Sequence, residues 1–437
     1  MDKPWSQVEL IREAFHYKAR FENSTMVFKI DFPVTENPIF PSLLNDLALL
    51  NKTGFRVAVV PGAREWIDTI LKENKIELRY NGQLRISSAE AMPYVQMAAF
   101  HSASSYMTGF STSRVDALIG NFFRARGLGV IDGVDMEHTG SVDKFFLDSL
   151  NRVLDLKMIP ILPCVGWNST GKAYNVSSNE ISSQAAAMLK AEKLFIVTLS
   201  GGVSSNTLKI PDNIFTDEKG RVNILTPEEA ELILKANPID SKNKRELAMA
   251  VKALYNGVKR VHIIDGSEEG AILKELFSNH GAGTMIHRDE YVSIREAKSR
   301  DIAEILRLME PLMQQGNLIR RSREDIQEKK DDYAVFVVDS QIRACGALHL
   351  WGEDQAEIAA ITTDPSYKEM GLGSRMVNYF INKAKKLNQK RVFALTTSSE
   401  DWFLSLGFEE VNIESLPEKR RSVYDHSRNS KIMAFNL

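Results

Sequence analysis

From Met26 to about Ile286 the chain alternates short β-branched runs with amphipathic segments: MVFKI, SLLNDLALLN and FRVAVV, and later MIPIL, LFIVTL and VKRVHIID. No other feature constrains the fold as much. A strand that is apolar along its whole length must be buried on both faces, and the helical segments between such strands supply the cover. The alternation therefore predicts an α/β, three-layer domain with a mainly parallel sheet. Ahead of it, SQVELIREAFHYKARFE has helical spacing behind the N-cap residue Ser6, which predicts an extra helix over 5–22.

After GTMIHRDE the pattern changes. YVSIREA reads as a strand, SRDIAEILRLMEPLMQQG as a helix, and YAVFVVDSQIRACGALHLW as two strands about an Asp-Ser-Gln turn. EIAAITTD, RVFALTT and KIMAFNL are further strands, and GLGSRMVNYFINKAKKL is a helix. This predicts a second, mixed α+β domain, with the boundary near His287 to Glu290 and domains over 1–288 and 291–437. The net charge of −2 supplies no field for nucleic acid or an anionic membrane. No apolar run approaches the roughly 18 residues of a membrane span. The two cysteines, Cys164 and Cys345, lie far apart without metal-ligand neighbours, so neither a disulfide framework nor a metal site is indicated, and a cytoplasmic setting is expected.

MVFKIDFPVTEN starts like the first strand of a kinase phosphate site, with Lys29 at its end, but continues Asp31-Phe32-Pro33. A phosphate needs close backbone N–H groups, which glycine turns expose and proline lacks. Lys29 thus reads as a remnant or as the partner of a carboxylate. The loop Lys368-Glu369-Met370-Gly371-Leu372-Gly373 is different: it follows a strand and opens a long amphipathic helix, where glycines turn amides toward a pyrophosphate and the helix dipole favours the anion.

With that loop the second domain resembles the GCN5-related N-acetyltransferases, whose acetyl-coenzyme A loop has the pattern Gln/Arg-x-x-Gly-x-Gly/Ala. Lys368 stands where Gln or Arg is usual. The resemblance narrows with QQGNLIRRSRED, AEIAAITTDP, FALTTSSEDWFLSLGF and YDHSRNSKIM, in the order found in the bacterial N-acetylglutamate synthase family. It extends over nearly the whole chain, because that family carries a degenerate amino-acid-kinase domain similar to VVPGAREWID, GNFFRARGLGVIDGVDMEHTGSV, KAEKLFIV and LKELFSNHGAGTMI. Working kinases of that fold have paired glycines after the strand lysine, and Pro61-Gly62-Ala63-Arg64 departs from the second glycine turn as well.

Acetyl transfer to an amine needs a base, a polarised thioester and reactants held in line. Glu357 alternates against apolar neighbours at the centre of its strand, and the resemblance makes it the base, acting through water. The resemblance implies Thr396 as a hydroxyl near the departing sulfur. It implies coenzyme contacts at Ile361, Thr362, Lys368, Gly371, Leu372, Gly373 and Ser374. Ala360 replaces a common cysteine beside the acceptor, so the backbone N–H groups of Ile358 to Ile361 are the better candidates to polarise the thioester oxygen.

A dicarboxylate acceptor calls for paired guanidinium groups, and Arg320, Arg321, Arg323, Arg428 and Lys431 supply cations. The resemblance singles out Arg321 and Arg428. It also implies that arginine acts as a feedback effector at a site including Tyr17, Glu275 and Gly281, and that the chain forms a ring-like homo-oligomer, a hexamer. The expected activity is acetyl transfer from acetyl-CoA to the α-amine of L-glutamate in a direct ternary complex. The rivals are a transferase for another amino acid or small amine, a working kinase with an appended sensor, and a non-catalytic arginine sensor.

Overall fold

The computed structural model describes residues 15, 17–19, 21–212, 214–277, 282–288, 292–338, 341–365, 367 and 371–437. The chain divides into two compact units, Met1–Arg288 and Asp289–Leu437. In the first, the described residues form an eight-stranded sheet. In chain order its strands are β1 (Thr25–Ile30), β2 (Arg56–Pro61), β3 (Ala117–Ile119), β4 (Ile159–Ile161), β5 (Lys193–Thr198), β6 (Ile224–Leu225), β7 (Arg260–Asp265) and β8 (Gly283–His287). In space they run β6-β8-β7-β5-β1-β2-β4-β3, and every pairing is parallel except that of β7 with β8.

The period of two along these strands sorts the core onto two faces. Val27, Ala58, Val60, Leu194 and Ile196 pack with α2 (Arg64–Glu73), and Met26, Phe28, Ile30, Val57 and Val59 pack on the opposite side. That opposite side is covered by α1 (Phe40–Lys52) and by the later part of α3 (Met92–Thr112). Helices α4 (Ser178–Met188) and α5 (Lys242–Tyr255) share the first face with α2, and α6 (Ala271–Phe277) joins α1 on the second. The alternation in the sequence is thus a three-layer α/β unit. It did not disclose a small closed barrel of four short strands, Phe123–Gly127, Thr139–Phe145, Val165–Trp167 and Ala173–Val176.

The turn after Lys29 is closed to phosphate by its own backbone. Gly62 N donates to Ile30 O at 2.7 Å and Asp31 N to Val197 O at 3.0 Å, so both amides are spent. A Cβ at Gly62 would stand 3.0 Å from Ile30 O and 3.1 Å from Asp31 Cα, so glycine serves close approach of the two turns. Lys29 is buried in an ion pair with Asp31.

The second unit has one seven-stranded sheet among its described residues. Its strands are β9 (Val292–Glu296), β10 (Tyr333–Val338), β11 (Gln341–Leu350), β12 (Gln355–Thr363), β13 (Arg391–Thr396), β14 (Glu409–Val411) and β15 (Lys431–Asn436), in the spatial order β9-β10-β11-β12-β13-β15-β14. Only β12 and β13 pair in parallel. Helix α7 (Ile302–Gln314) packs with Val335, Val337, Cys345 and Ala347 on one face; α8 (Leu372–Lys386) packs with Phe336, Leu348, Ala356 and Ile358 on the other. No helix among the described residues is long and apolar enough to cross a membrane.

Candidate active site

The parallel pair at the centre of the second sheet comes apart. Gln355, Ala356 and Glu357 pair with Arg391, Val392 and Phe393, and pairing stops there although both strands continue. Its cause lies on the other side of β12. Cys345 pairs with Thr362 and Ala347 with Ala359, so Ala360 and Ile361 oppose Gly346 alone, a β-bulge. Ala360 has φ 57°, in the left-handed region, and a Cβ on Gly346 would stand 2.5 Å from Ile361 Cδ1 and 2.8 Å from Phe380 Cε2. The bulge bends β12 away from β13, and a slot flanked by Ile358–Thr363 opens in the sheet.

Glu357 is the last paired residue before the slot and is 7% exposed. Arg420 grips it with two bonds, Nε to Oε2 at 2.6 Å and Nη2 to Oε1 at 3.0 Å, and Trp351 Nε1 donates to Oε2 at 2.9 Å. The Arg420 guanidinium lies 5.4 Å from the Trp351 ring centroid. A carboxylate offers about four acceptor positions, so three bonds leave one for a water or an amine. His349, directly opposite Glu357 on β11, bonds Asp332 Oδ2 through Nδ1 at 2.7 Å. Neither Arg420 nor Trp351 was singled out in the sequence; the run KRR in PEKRRS was the only hint.

Arg321 is half-buried, 5.9 Å from the Tyr333 ring centroid. Arg428 Nη2 donates to Gly316 O at 3.0 Å and Asn317 O at 3.2 Å, so it binds the loop that leads to Arg321. Thr396 ends β13; its Oγ1 accepts from Ser399 N at 2.9 Å and Ser398 N at 3.3 Å, which leaves its hydroxyl hydrogen to donate elsewhere. Cys345 is fully buried, and burial pushes its thiol up to about 12, so it is no nucleophile.

Of the expected coenzyme contacts, Lys368 lies outside the described residues. Gly371 is the N-cap of α8 with φ 64°, a conformation that suits glycine. Leu372 and Ser374 are buried, and so is Thr362, whose Oγ1 donates to Ala360 O at 3.3 Å. Ile361 is half-buried. At Gly373 a Cβ would meet Trp402 Cζ2 at 3.1 Å. Gly373→Val is therefore expected to crowd the first turn of α8 and raise the KM for acetyl-CoA at least tenfold; initial rates against acetyl-CoA check this.

In the first unit, Glu275 is buried. His262 Nδ1 lies 2.5 Å from Oε1, and Ala282 N and Gly283 N donate to Oε2 at 2.5 and 3.1 Å. Burial opposes its ionisation, but these bonds and the charges nearby hold its carboxyl below the usual range. Tyr17 sits among Phe21, Phe55 and Phe277, with Lys193 Nζ 5.2 Å from its ring centroid. Gly281 and most of the helix expected over 5–22 lie outside the described residues.

Burial, joined by the Lys193 charge, pulls His262 down to about 4. A histidine buried neutral binds fewer protons folded than unfolded, so it stabilises above its unfolded value of about 6.5 and that stability drains as pH falls toward 4. His262→Gln is expected to flatten the pH dependence of the melting temperature between those limits.

The chain matches the family described as "Amino acid kinase family" over residues 33–265 and "Acetyltransferase (GNAT) family" over residues 301–408. It is 34% identical to the amino-acid acetyltransferase of Escherichia coli strain K12 over 440 residues, 98% of each chain. The chain belongs to the amino-acid acetyltransferase family. The corresponding protein of Salmonella typhimurium is also 34% identical, again over 98% of each chain. Among solved structures, the N-acetylglutamate synthase of Neisseria gonorrhoeae with coenzyme A and N-acetyl-glutamate matches at 32% identity and a TM-score of 0.62, covering 99% of this chain and all of that one. The same enzyme with coenzyme A and L-arginine matches at 31% identity and a TM-score of 0.74, with the same coverage.

Proposed function

We propose that this amino-acid acetyltransferase moves acetyl from acetyl-CoA to the α-amine of L-glutamate, giving N-acetyl-L-glutamate and CoA. The observation that carries the reading is the slot that opens beyond Glu357, with the N-terminus of α8 on one face of the sheet and Glu357, Arg321 and Tyr333 on the other. In this reading residues 291–437 are catalytic and 1–288 regulatory.

The pantetheine lies along the slot, its pyrophosphate at the N-terminus of α8 where amides lack intrahelical acceptors. The acceptor approaches from the opposite face, its carboxylates held by Arg321 and Arg428. Glu357 takes the ammonium proton through a water, which frees the nitrogen lone pair to attack the thioester carbon. Backbone N–H groups of Ile358 to Ile361 stabilise the oxyanion. As the tetrahedral intermediate collapses the C–S bond breaks, the attacking nitrogen gives up its second proton, which ends on the departing sulfur to give the CoA thiol, and Thr396 donates a hydrogen bond to that sulfur as it leaves. The thiol Cys345 is buried and un-ionised, which supports direct transfer. Arg420 positions Glu357 and does not touch the reacting atoms.

For regulation, arginine is proposed as a feedback effector at a site including Tyr17, Glu275 and Gly281. The relative from Neisseria solved with coenzyme A and L-arginine supports this. A cytoplasmic homo-oligomer, a hexamer, completes the proposal.

The test is thiol release from acetyl-CoA with L-glutamate against a panel of amino acids, repeated with millimolar arginine. Glutamate-selective turnover depressed by arginine is expected. Turnover with another amine alone would keep the reaction class and overturn the substrate.

A further inference from the structure

Acetyl transfer to an ammonium releases one proton per turnover: of the three N–H protons, the amide keeps one and the CoA thiol takes one. The third passes through a water to Glu357, which is buried and already accepts three hydrogen bonds. Near neutral pH an ordinary carboxylate, with a reference value of about 4.3, holds a proton poorly. An ordinary imidazole, at about 6.5, holds it about a hundredfold better. One imidazole stands beside Glu357.

His349 lies directly opposite Glu357 in the pairing of β11 with β12. Paired residues of neighbouring strands send their side chains to the same face, with Cβ atoms about 4.5–5.5 Å apart. That face is the one covered by α7, where Tyr333 and Ala347, themselves a cross-strand pair, are buried. The ring is held from its far side. Nδ1 lies 2.7 Å from Asp332 Oδ2, and Asp332 immediately precedes β10, which flanks β11 on the side away from β12. An ionised carboxylate only accepts, so Nδ1 carries the hydrogen and Nε2 presents its lone pair. The two ring nitrogens point apart, which turns Nε2 back toward β12 and Glu357. It has no hydrogen-bond partner among the described residues. The His349 side chain is 14% exposed and that of Asp332 38%, so a proton delivered here is within reach of solvent. The titratable and charged groups around the ring are Asp332 and Tyr333 on the β10 side, Arg321 beside Tyr333, and Glu357 with Arg420 on the β12 side. Lys330 and Asp331, just ahead of Asp332, pair with each other.

We propose that His349 is the proton relay of the acetyl transfer: Nε2 takes the proton from Glu357 through a bridging water, Asp332 holds the resulting imidazolium, and the proton then leaves to solvent. The N–H bond of the ammonium breaks, an N–H bond forms at Nε2, and loss of that proton to bulk water restores the neutral ring; nothing is oxidised or reduced. A carboxylate on Nδ1–H fixes the tautomer and stabilises the imidazolium, as an aspartate does for the histidine of a serine-hydrolase triad. His349 touches neither acceptor nor coenzyme. It acts through Glu357, and its role rests on the reading of Glu357 as the base.

The test is the pH profile of kcat for the full-length native chain, His349→Asn and Asp332→Asn, with saturating acetyl-CoA and the amine that the native chain turns over fastest. Asparagine can still donate to Asp332 from near the place of Nδ1 but has nothing at Nε2. His349→Asn is expected to lower kcat at least about tenfold near neutral pH, with the KM of each substrate within about twofold. Added imidazole should restore most of that loss, which a merely structural role of the ring would not allow. Asp332→Asn removes the charge that stabilises the imidazolium, so the acid limb of the native profile should move to lower pH. A His349→Asn kcat within about twofold of the native value, a loss that is equal at every pH and not relieved by imidazole, or an acid limb that Asp332→Asn leaves in place would overturn the relay. Failure of the acetyl-transfer reading looks different. A native chain that turns over no amine overturns that reading and the relay with it, whereas native turnover with an indifferent His349→Asn overturns the relay alone.

Discussion

Glu357→Gln is expected to lower kcat for acetyl transfer by about 10²–10⁴-fold, the usual contribution of a positioned general base. The amide keeps the size of the carboxylate, and its oxygen can still accept from Trp351 Nε1 and Arg420 Nε, while its NH2 replaces the acceptor of the Arg420 Nη2 bond, which is lost. The KM for acetyl-CoA should change little, because in the proposed arrangement the coenzyme is held at the start of α8, away from Glu357. Raising the pH should recover part of the loss, since more acceptor then arrives with its amine already deprotonated. Steady-state rates from pH 6 to pH 10 check all three points. A kcat within threefold of the native value would remove Glu357 from the chemistry.

Arg420→Met is expected to cost the second unit about 3–5 kcal/mol, because it strands a buried carboxylate. Both side chains are about nine-tenths buried, at 10% and 9% exposure, so solvent screening offers little relief. For a unit of this size that is a fall of about 10 °C in its melting transition. Combining Arg420→Met with Glu357→Gln should restore most of the stability and none of the activity. That split separates the positioning role of Arg420 from the chemical role of Glu357, and calorimetric melting of the four proteins measures it. A single-variant loss below 1 kcal/mol would mean that the pair behaves as a surface ion pair.

Much of the architecture was legible because strands buried on both faces must be apolar throughout. LFIVTL and RVAVV could only be central, and the structure buries β5 completely and all of β2 but Arg56. The glycines at 371 and 373 were legible for a local reason as well, since a left-handed N-cap followed by a close approach restricts what a residue can be. Barrel strands such as Val165–Trp167 and Ala173–Val176 were not, because three or four residues carry too little periodicity to register. Glu275 was ambiguous: on a helix of seven residues nothing distinguishes a solvated carboxylate from one turned inward to His262.

By itself the sequence determined the layer order and the change of pattern between the two units. Each of these follows from local periodicity or from chemistry within a few residues. Only the tertiary structure decided which groups meet. Arg420 reaches Glu357 across 63 positions of sequence and Arg428 reaches Gly316 across 112. The slot itself depends on a bulge in the pairing of β12 with β11. A hydrogen bond depends on where chain segments cross in space, and that crossing is set by the packing of whole helices and strands, which no local stretch of residues specifies.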